Sequence, residues 1–322
     1  MPDSQQSSDA VVLLPPVRGR LCDRSLLRWL SRGQLEEVRA PLDPLAEVQR
    51  AIGGDYPGEG VAALRMWGQT GERPRTWVAA ADPVYMEPRL DRLFLHQLGP
   101  GDVSRRELGR LFEALQDTLG GEGELGFAQI DGCGYIRSER PMVTPRVPAA
   151  ALDGRSPEGA LPPADVAADT LNLISEIEMT LHGQPLNAER LADGHPPVNS
   201  LWIWGGGYAP PQSASEVPPF FGDEPLLRGY WASVGADAAP WPGTITACLD
   251  AAPDGFVAVV PPVGDAGATL VSELAALRSA LQSGRLGSAM LVTADGIRVT
   301  LRRSDRYRVW RRIAGLLEDP AA

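Results

Sequence analysis

The stretch from His182 to Gly207, HGQPLNAERLADGHPPVNSLWIWGGG, concentrates the side chains able to do chemistry. It holds two of the three histidines, His182 and His195, and two of the eight tryptophans, Trp202 and Trp204. Asn187, Arg190, Asn199 and the run Gly205, Gly206, Gly207 complete it. Histidine moves protons near neutral pH and binds metals, while successive glycine N–H groups can cradle a phosphate.

Each of these residues also has a plainer reading. His182, at a helix end, can simply favour the dipole there, and His195 in Gly-His-Pro-Pro reads as a loop histidine. Trp202 and Trp204 alternate with Leu201 and Ile203, so both indoles share one sheet face, where packing explains them. Asn187 and Asn199 can fix loops through bonds to the backbone. A phosphate cradle is usually followed by a helix, and Tyr208-Ala209-Pro210-Pro211 does not begin one. Elsewhere, Glu176 and Glu178 stand two apart on a helix and face different directions. Ser200 lacks a G-x-S-x-G elbow, and the glycines do not extend into G-x-G-x-x-G.

The elements that must position this stretch follow from periodicity. Residues 164–181 read as a helix with Val166, Leu173, Ile174, Ile177 and Leu181 on one side, delivering His182 to its end. Residues 201–204 read as a strand that stops in a flexible glycine loop, and 210–225 is a proline-rich segment long enough to be a lid. Upstream, residues 11–14 suggest a first strand, 23–32 a short helix ended by Gly33, 41–52 another helix, and 77–86 a buried strand continued in extended style at 93–98. Ser104 and Glu107 form a capping box ahead of Leu108, Leu111, Phe112, Leu115 and Leu119. Residues 126–130 and 134–139 read as a hairpin.

Downstream, 256–260 reads as a buried strand, Leu270 to Leu281 as a helix closed by Gly284, and 289–301 as a hairpin turning at Asp295-Gly296. Residues 306–317 read as a closing helix; Arg302, Arg303, Arg306, Arg308, Arg311 and Arg312 are the densest candidate for a local basic patch, and the plainer reading is an exposed face of a C-terminal helix. No internal repeat is present. The domain expectation is a disordered 1–9, an N-terminal α/β half over 10–145, a proline-rich connection at 146–163, and a C-terminal α/β half over 164–322 carrying NSLWIWGGG.

With 322 residues, 43% of them hydrophobic, the chain can bury a real core. All 30 basic residues are arginine, against 41 acidic ones, for a net charge of −11. That balance argues against nucleic acid and anionic membranes as partners. Cys22, Cys133 and Cys248 are odd in number and far apart, which suggests neither a disulfide framework nor a thiolate zinc site. MPDSQQSSDA lacks a basic n-region and VVLLPP is too short for a span, so a cytoplasmic protein is expected.

EIEMTLHGQPLNAERLADGHPPVNSLWIWGGG, with ADPVYMEPRLDRL upstream and RVWRR near the end, resembles the RpfE-type regulatory protein family, bacterial proteins often labelled phosphoglycerate mutase. Pro185, Asn187, Arg190, Gly194, Pro197, Asn199, Trp202, Trp204, Gly205 and Gly207 are similar to the Asn-x-x-Arg, Gly-x-x-x-Asn and Trp-x-Trp-Gly-x-Gly pattern of archaeal-type cofactor-independent phosphoglycerate mutases. The resemblance implies an α/β fold of the alkaline-phosphatase-like kind, reduced in size, with a mostly parallel sheet sandwiched between helices. It also implies two divalent metals and a transiently phosphorylated Ser or Thr.

Such a metal pair needs roughly six or seven Asp and His ligands. The resembled enzymes place an Asp directly after the first strand, where this chain has Pro15-Pro16, and no histidine follows Pro196. VTADGIRVT keeps Asp295 where the enzymes have Asp-His, with Gly296 in place of the histidine. The expectation is therefore a non-catalytic regulatory or binding protein with no cofactor, taking a protein partner or a small phosphorylated ligand. A working phosphoglycerate mutase or phosphatase is the first alternative, its Mn²⁺, Zn²⁺ or Mg²⁺ held by some of Asp82, Asp131, His182, His195, Asp223, Asp265 and Asp295. A subunit of a larger assembly is the second, with 210–225 and the arginine-rich C-terminus as contact surfaces.

Overall fold

The computed structural model describes residues 9–38, 43–90, 92–121, 124–262 and 266–318. Residues 1–8 of the stretch expected to be disordered, and the metal candidate Asp265, lie outside them. In chain order the first elements are β1 (Ala10–Leu14), α1 (Arg24–Leu30), β2 (Gln34–Glu37), α2 (Pro44–Ile52), α3 (Val61–Thr70), β3 (Trp77–Arg89) and β4 (Arg92–Gln97). Then come α4 (Arg105–Leu119), β5 (Leu125–Ile130), β6 (Cys133–Ser138), α5 (Ala168–His182), α6 (Pro185–Ala192) and β7 (Ser200–Gly207). The chain continues through β8 (Phe220–Phe221), α7 (Pro225–Ser233), β9 (Ala238–Ala239), α8 (Ile245–Ala251), β10 (Phe256–Val259), α9 (Ala266–Ser283), β11 (Ser288–Thr293) and β12 (Ile297–Arg302).

These elements form two compact units. Unit 1 joins Met1–Tyr56 to Gln212–Ala322, and unit 2 is the intervening Pro57–Pro211. The break expected at 146–163 falls inside unit 2, so the halves 10–145 and 164–322 are not the units. A run of prolines marks irregular backbone, and here that backbone carries two short 3₁₀ turns within one unit.

Unit 1 is built on a seven-stranded sheet of order β2-β12-β11-β1-β10-β8-β9. β1 sits in its middle because AVVLL has no polar face to show water, and it pairs parallel with β10 on one side and β11 on the other. β8 continues the parallel part, and β12 and β2 close one edge antiparallel. Leu270, Leu274, Leu277 and Leu281 of α9 join Leu26, Leu30, Ile245 and Leu249 over Ala10, Val12 and Leu14. Burying each leucine contributes roughly 2 kcal/mol. The mostly parallel α/β sheet is thus present, with β11 and β12 turning at Asp295-Gly296 as the sequence suggests.

Unit 2 adds an antiparallel sheet, of which the sequence announces the hairpin at 126–130 and 134–139 but not the whole. β3 is its spine, paired antiparallel with β4, β6 and β7, while β5 pairs with β6. α4 begins at the Ser104–Glu107 capping box. Its Leu108, Leu111 and Leu115 pack with Leu173, Ile177 and Leu181 of α5 on Ala79, Ala81, Leu201 and Ile203.

Two further expectations change. Residues 306–317 do not form a helix; two 3₁₀ turns, Arg303–Tyr307 and Gly315–Leu317, flank an irregular stretch. The reason is that Arg308 and Arg311 are drawn to the carbonyls of Ser31, Arg32 and Gly33 at the end of α1. Residues 210–225 are not one continuous loop either, because Phe220 and Phe221 join the sheet as β8 and Pro225 opens α7.

Candidate functional site

The central stretch folds as α5, α6 and β7. Asn187 is buried and donates from Nδ2 to Leu181 O and Val198 O at 2.8 and 2.9 Å, while its Oδ1 accepts from Val198 N. It ties the end of α5 to the entrance of β7. Asn199 plays the part of a strand residue, accepting from Met86 N at 2.7 Å and donating to Met86 O at 2.9 Å. Both amides hold backbone, which accounts for their positions in the motif.

The glycine run does not end the strand; it continues it, with Gly207 opposite Val78. Gly205 N donates to Pro145 O and Gly206 N to Thr144 Oγ1, so neither amide is free to cradle an anion. Gly205 has φ +63°, and a Cβ on Gly206 would lie 2.4 Å from the Trp77 ring. Close packing, not phosphate, sets these glycines.

Trp202 Nε1 donates to Val147 O, and Trp204 Nε1 to Asp82 Oδ2 at 2.6 Å. Asp82, a candidate metal ligand from the sequence, is thereby committed elsewhere: its other oxygen faces Arg65 Nη1 at 3.3 Å. Arg65 also donates from Nε to the Tyr135 hydroxyl, and its guanidinium lies over the rings of Tyr135 and Trp204 at 4.7 and 5.4 Å. Burial opposes the Arg65 charge, yet Asp82 and Tyr135 hold its pKa above the ordinary guanidinium value. Burial likewise raises Tyr135. Arg65 and Tyr135 escaped the sequence reading, since a single Arg in VAALRMWGQT and a Tyr in a strand carry no signal.

Arg190 and His195 do meet, in a concavity of about 330 Å³ shared with Arg106, Arg110, Glu107 and Glu189. Arg190 is 3% exposed and pairs with Glu107 at 2.8 Å. Arg110 takes Glu189 at 3.0 Å. Burial of the Glu107 carboxyl works against its charge, but Ser104 and Arg190 together bring its pKa down to about 2. The charges of this concavity are largely neutralised among themselves. His182 stands exposed at the carboxyl end of α5, apart from it.

In unit 1, the carboxyl ends of β1, β10 and β11 open on a pocket of about 420 Å³. Open parallel sheets place ligands in this position. Leu13, Leu14, Pro15, Pro16, Val259 and Val260 are among its walls, with Glu224 at α7 the charged member. Asp295 follows the end of β11, and its Oδ2 accepts from Val17 N and Arg18 N at 3.1 and 2.8 Å, pinning the loop after β1. The other oxygen, Oδ1, is buried without a hydrogen-bond partner.

Two divalent ions, implied by the resemblance, would need a convergent shell of carboxylates and imidazoles. The described residues do not fit. The pocket at the carboxyl edge is walled mostly by aliphatic and proline side chains with Glu224 the single carboxylate, and one oxygen of Asp295 already serves two amides. Asp223 is exposed beside Arg228, Asp131 is exposed beside Arg105, Asp82 is taken by Arg65 and Trp204, and His182 and His195 are exposed. Among the described residues no group of three or more His, Cys, Asp or Glu is placed to share an ion. No helix among them is long and apolar enough to cross a membrane.

Comparison with known proteins found no matching family model. A probable 2,3-bisphosphoglycerate-independent phosphoglycerate mutase of Geobacter sulfurreducens is 27% identical over 206 residues, 55% of this chain and 51% of that protein. The 2,3-bisphosphoglycerate-independent phosphoglycerate mutase of Methanosarcina barkeri is 31% identical over 115 residues, 34% of this chain and 28% of that protein. The matches thus span about half the length of the first relative and under a third of the second.

Among solved structures, the cofactor-independent phosphoglycerate mutase of Thermoplasma acidophilum aligns with a TM-score of 0.41 at 17% identity, over 92% of this chain and 90% of that one. A protein of Pyrococcus horikoshii gives 0.45 at 13% identity, over 92% and 87%. The chain is similar in sequence to cofactor-independent phosphoglycerate mutases.

Proposed function

We propose that this chain is a non-catalytic regulatory or binding protein that keeps a cofactor-independent phosphoglycerate-mutase-like scaffold of the alkaline-phosphatase-like kind. One observation carries the reading: at the carboxyl edge of the parallel sheet, β1 runs into Pro15-Pro16 and the pocket there is apolar, while Asp295 binds backbone amides. Aliphatic and proline side chains make most of that wall and give a hard divalent cation nothing to replace its water, and Glu224 is the one carboxylate among the lining residues. The likeness of the α5-to-β7 segment to RpfE-type regulatory proteins supports the same reading. A cytoplasmic location and a protein or small phosphorylated partner go with it.

A metal-dependent mutase or phosphatase is the competing reading, and the sequence similarity to named mutases favours it. Metal analysis of the purified chain, run beside a phosphoglycerate turnover assay with and without chelator, decides between them. The proposal expects no stoichiometric Mn²⁺ or Zn²⁺ and no turnover. Two ions per chain together with chelator-sensitive mutase activity would overturn it.

A further inference from the structure

Residues 302–312 hold six arginines and one aspartate within a chain of net charge −11. Unit 1 fixes this segment from below. Arg308 Nη1 donates to Arg32 O, and Arg311 Nη1 donates to Ser31 O and Gly33 O, at the carboxyl end of α1 where the helix dipole favours cations. Ala314 N donates to Ser31 Oγ, and Leu317 is buried in the core. What this anchoring leaves outside is apolar and aromatic: Tyr307, Val309 and Trp310 are 64, 68 and 75% exposed. Arg306 and Arg312 flank them, and neither has an ion-pair partner among the described residues.

An exposed tryptophan between the anchored Arg308 and Arg311, with further arginines on either side, has the composition of an interface hot spot, because it offers large apolar area. A large polyanion is a poor occupant, since the rest of the chain repels it over long range. A local acidic patch that ends on an exposed apolar side chain fits, because screening confines repulsion to about a Debye length of 8 Å. α5 of unit 2 presents one. Asp169, Asn172, Glu176 and Met179 recur at helical spacing on its exposed side, and Met179 is 70% exposed. No ion pair engages Asp169 or Glu176 among the described residues.

We propose that the chain associates with a second copy of itself, the Tyr307–Arg312 segment of one copy docking on the α5 face of another. Trp310 meets the Met179 thioether, a favoured sulfur–aromatic pairing, and Arg306 and Arg312 meet Asp169 and Glu176. The contact joins two different surfaces, so it is heterologous. It is independent of whether the chain turns over phosphate esters.

Sedimentation velocity of the full chain over about two decades of concentration tests this, at low and high salt. The expected result is concentration-dependent association that weakens as salt rises. Trp310→Ala should weaken it about tenfold or more. Arg312→Glu should weaken it too, with Glu176→Arg in the same chain restoring it, a rescue that misfolding could not produce. Unchanged thermal melting of each variant checks folding. A chain that stays monomeric throughout, or association that Trp310→Ala and the charge swap leave untouched, would overturn the proposal; a monomer that binds an acidic foreign peptide through Trp310 counts as the same failure.

Discussion

Arg190 of α6 and Glu107 of α4 stand 83 positions apart in sequence and meet at 2.8 Å, with Arg190 almost wholly out of water. Glu107 simultaneously closes the capping box of α4, accepting from Ser104 N and Ser104 Oγ. One carboxylate therefore joins a helix start to the central motif.

The first prediction concerns acid. Because the folded pKa of Glu107 is depressed to about 2, its contribution is present above its unfolded value and is lost as pH falls from there toward about 2. Urea midpoints of the parent chain should decline through that window, and Glu107→Gln should decline less. At neutral pH, Arg190→Ala should cost about 3 kcal/mol, because it removes a buried partner and three hydrogen bonds. Equal acid sensitivity of parent and Glu107→Gln would refute the assignment.

The second prediction concerns the Arg65 cluster. Asp82→Asn retains an acceptor for Trp204 but leaves the largely covered Arg65 cation without its counter-charge. A loss of about 3 to 5 kcal/mol follows. Removing both charges, Asp82→Asn with Arg65→Met, should be less damaging than Asp82→Asn alone. Chemical denaturation followed by tryptophan fluorescence reads the three variants, and a double variant worse than the single one contradicts the account.

A third prediction separates packing from ligand binding at the glycines. A Cβ at Gly206 meets Trp77, whereas one at Gly159 meets open space. Gly206→Ala should therefore cost about 1 to 3 kcal/mol by overpacking. Gly159→Ala should change little. Thermal melts of the two, compared with the parent, give the answer; a neutral Gly206→Ala returns the run to the phosphate-cradle reading.

How far the sequence carried this structure depends on the range over which each signal acts. The capping box at Ser104 and Glu107, the leucines of α9 and the hairpin at Asp295-Gly296 are local, and local patterns declare themselves. Unit 2 is inserted between Tyr56 and Gln212, where GGDYPGEG and Pro210-Pro211 lie, but glycine- and proline-rich runs also occur inside a unit, as at 146–163, so composition alone does not single out the junctions. The arginines at 308 and 311 looked like a helix face, but tertiary carbonyl partners outweigh helical propensity there. At the candidate site, Asn187 and Asn199 stood out in the sequence for their place in the motif, and in the fold their amides bond backbone. Arg65 could not, since its meaning lies in Asp82, Tyr135 and Trp204, which reach it only in the fold.

Asp295 Oδ2 holds the amides of Val17 and Arg18; burial opposes the carboxylate charge, but the Thr293 side chain together with those amides lowers the carboxyl pKa. Asp295→Ala leaves two amides of the β1 loop without an acceptor, at a cost of about 1 to 3 kcal/mol. Asp295→Asn keeps one acceptor oxygen and should lose less. If the residue serves the loop and not an ion, adding Mn²⁺ or Zn²⁺ shifts the melting temperature of none of the three proteins. The destabilisation by Asp295→Ala is then the same with and without metal. A metal-dependent rise in the parent that vanishes in Asp295→Ala would instead make Asp295 a ligand, because binding that favours the folded state stabilises it by mass action.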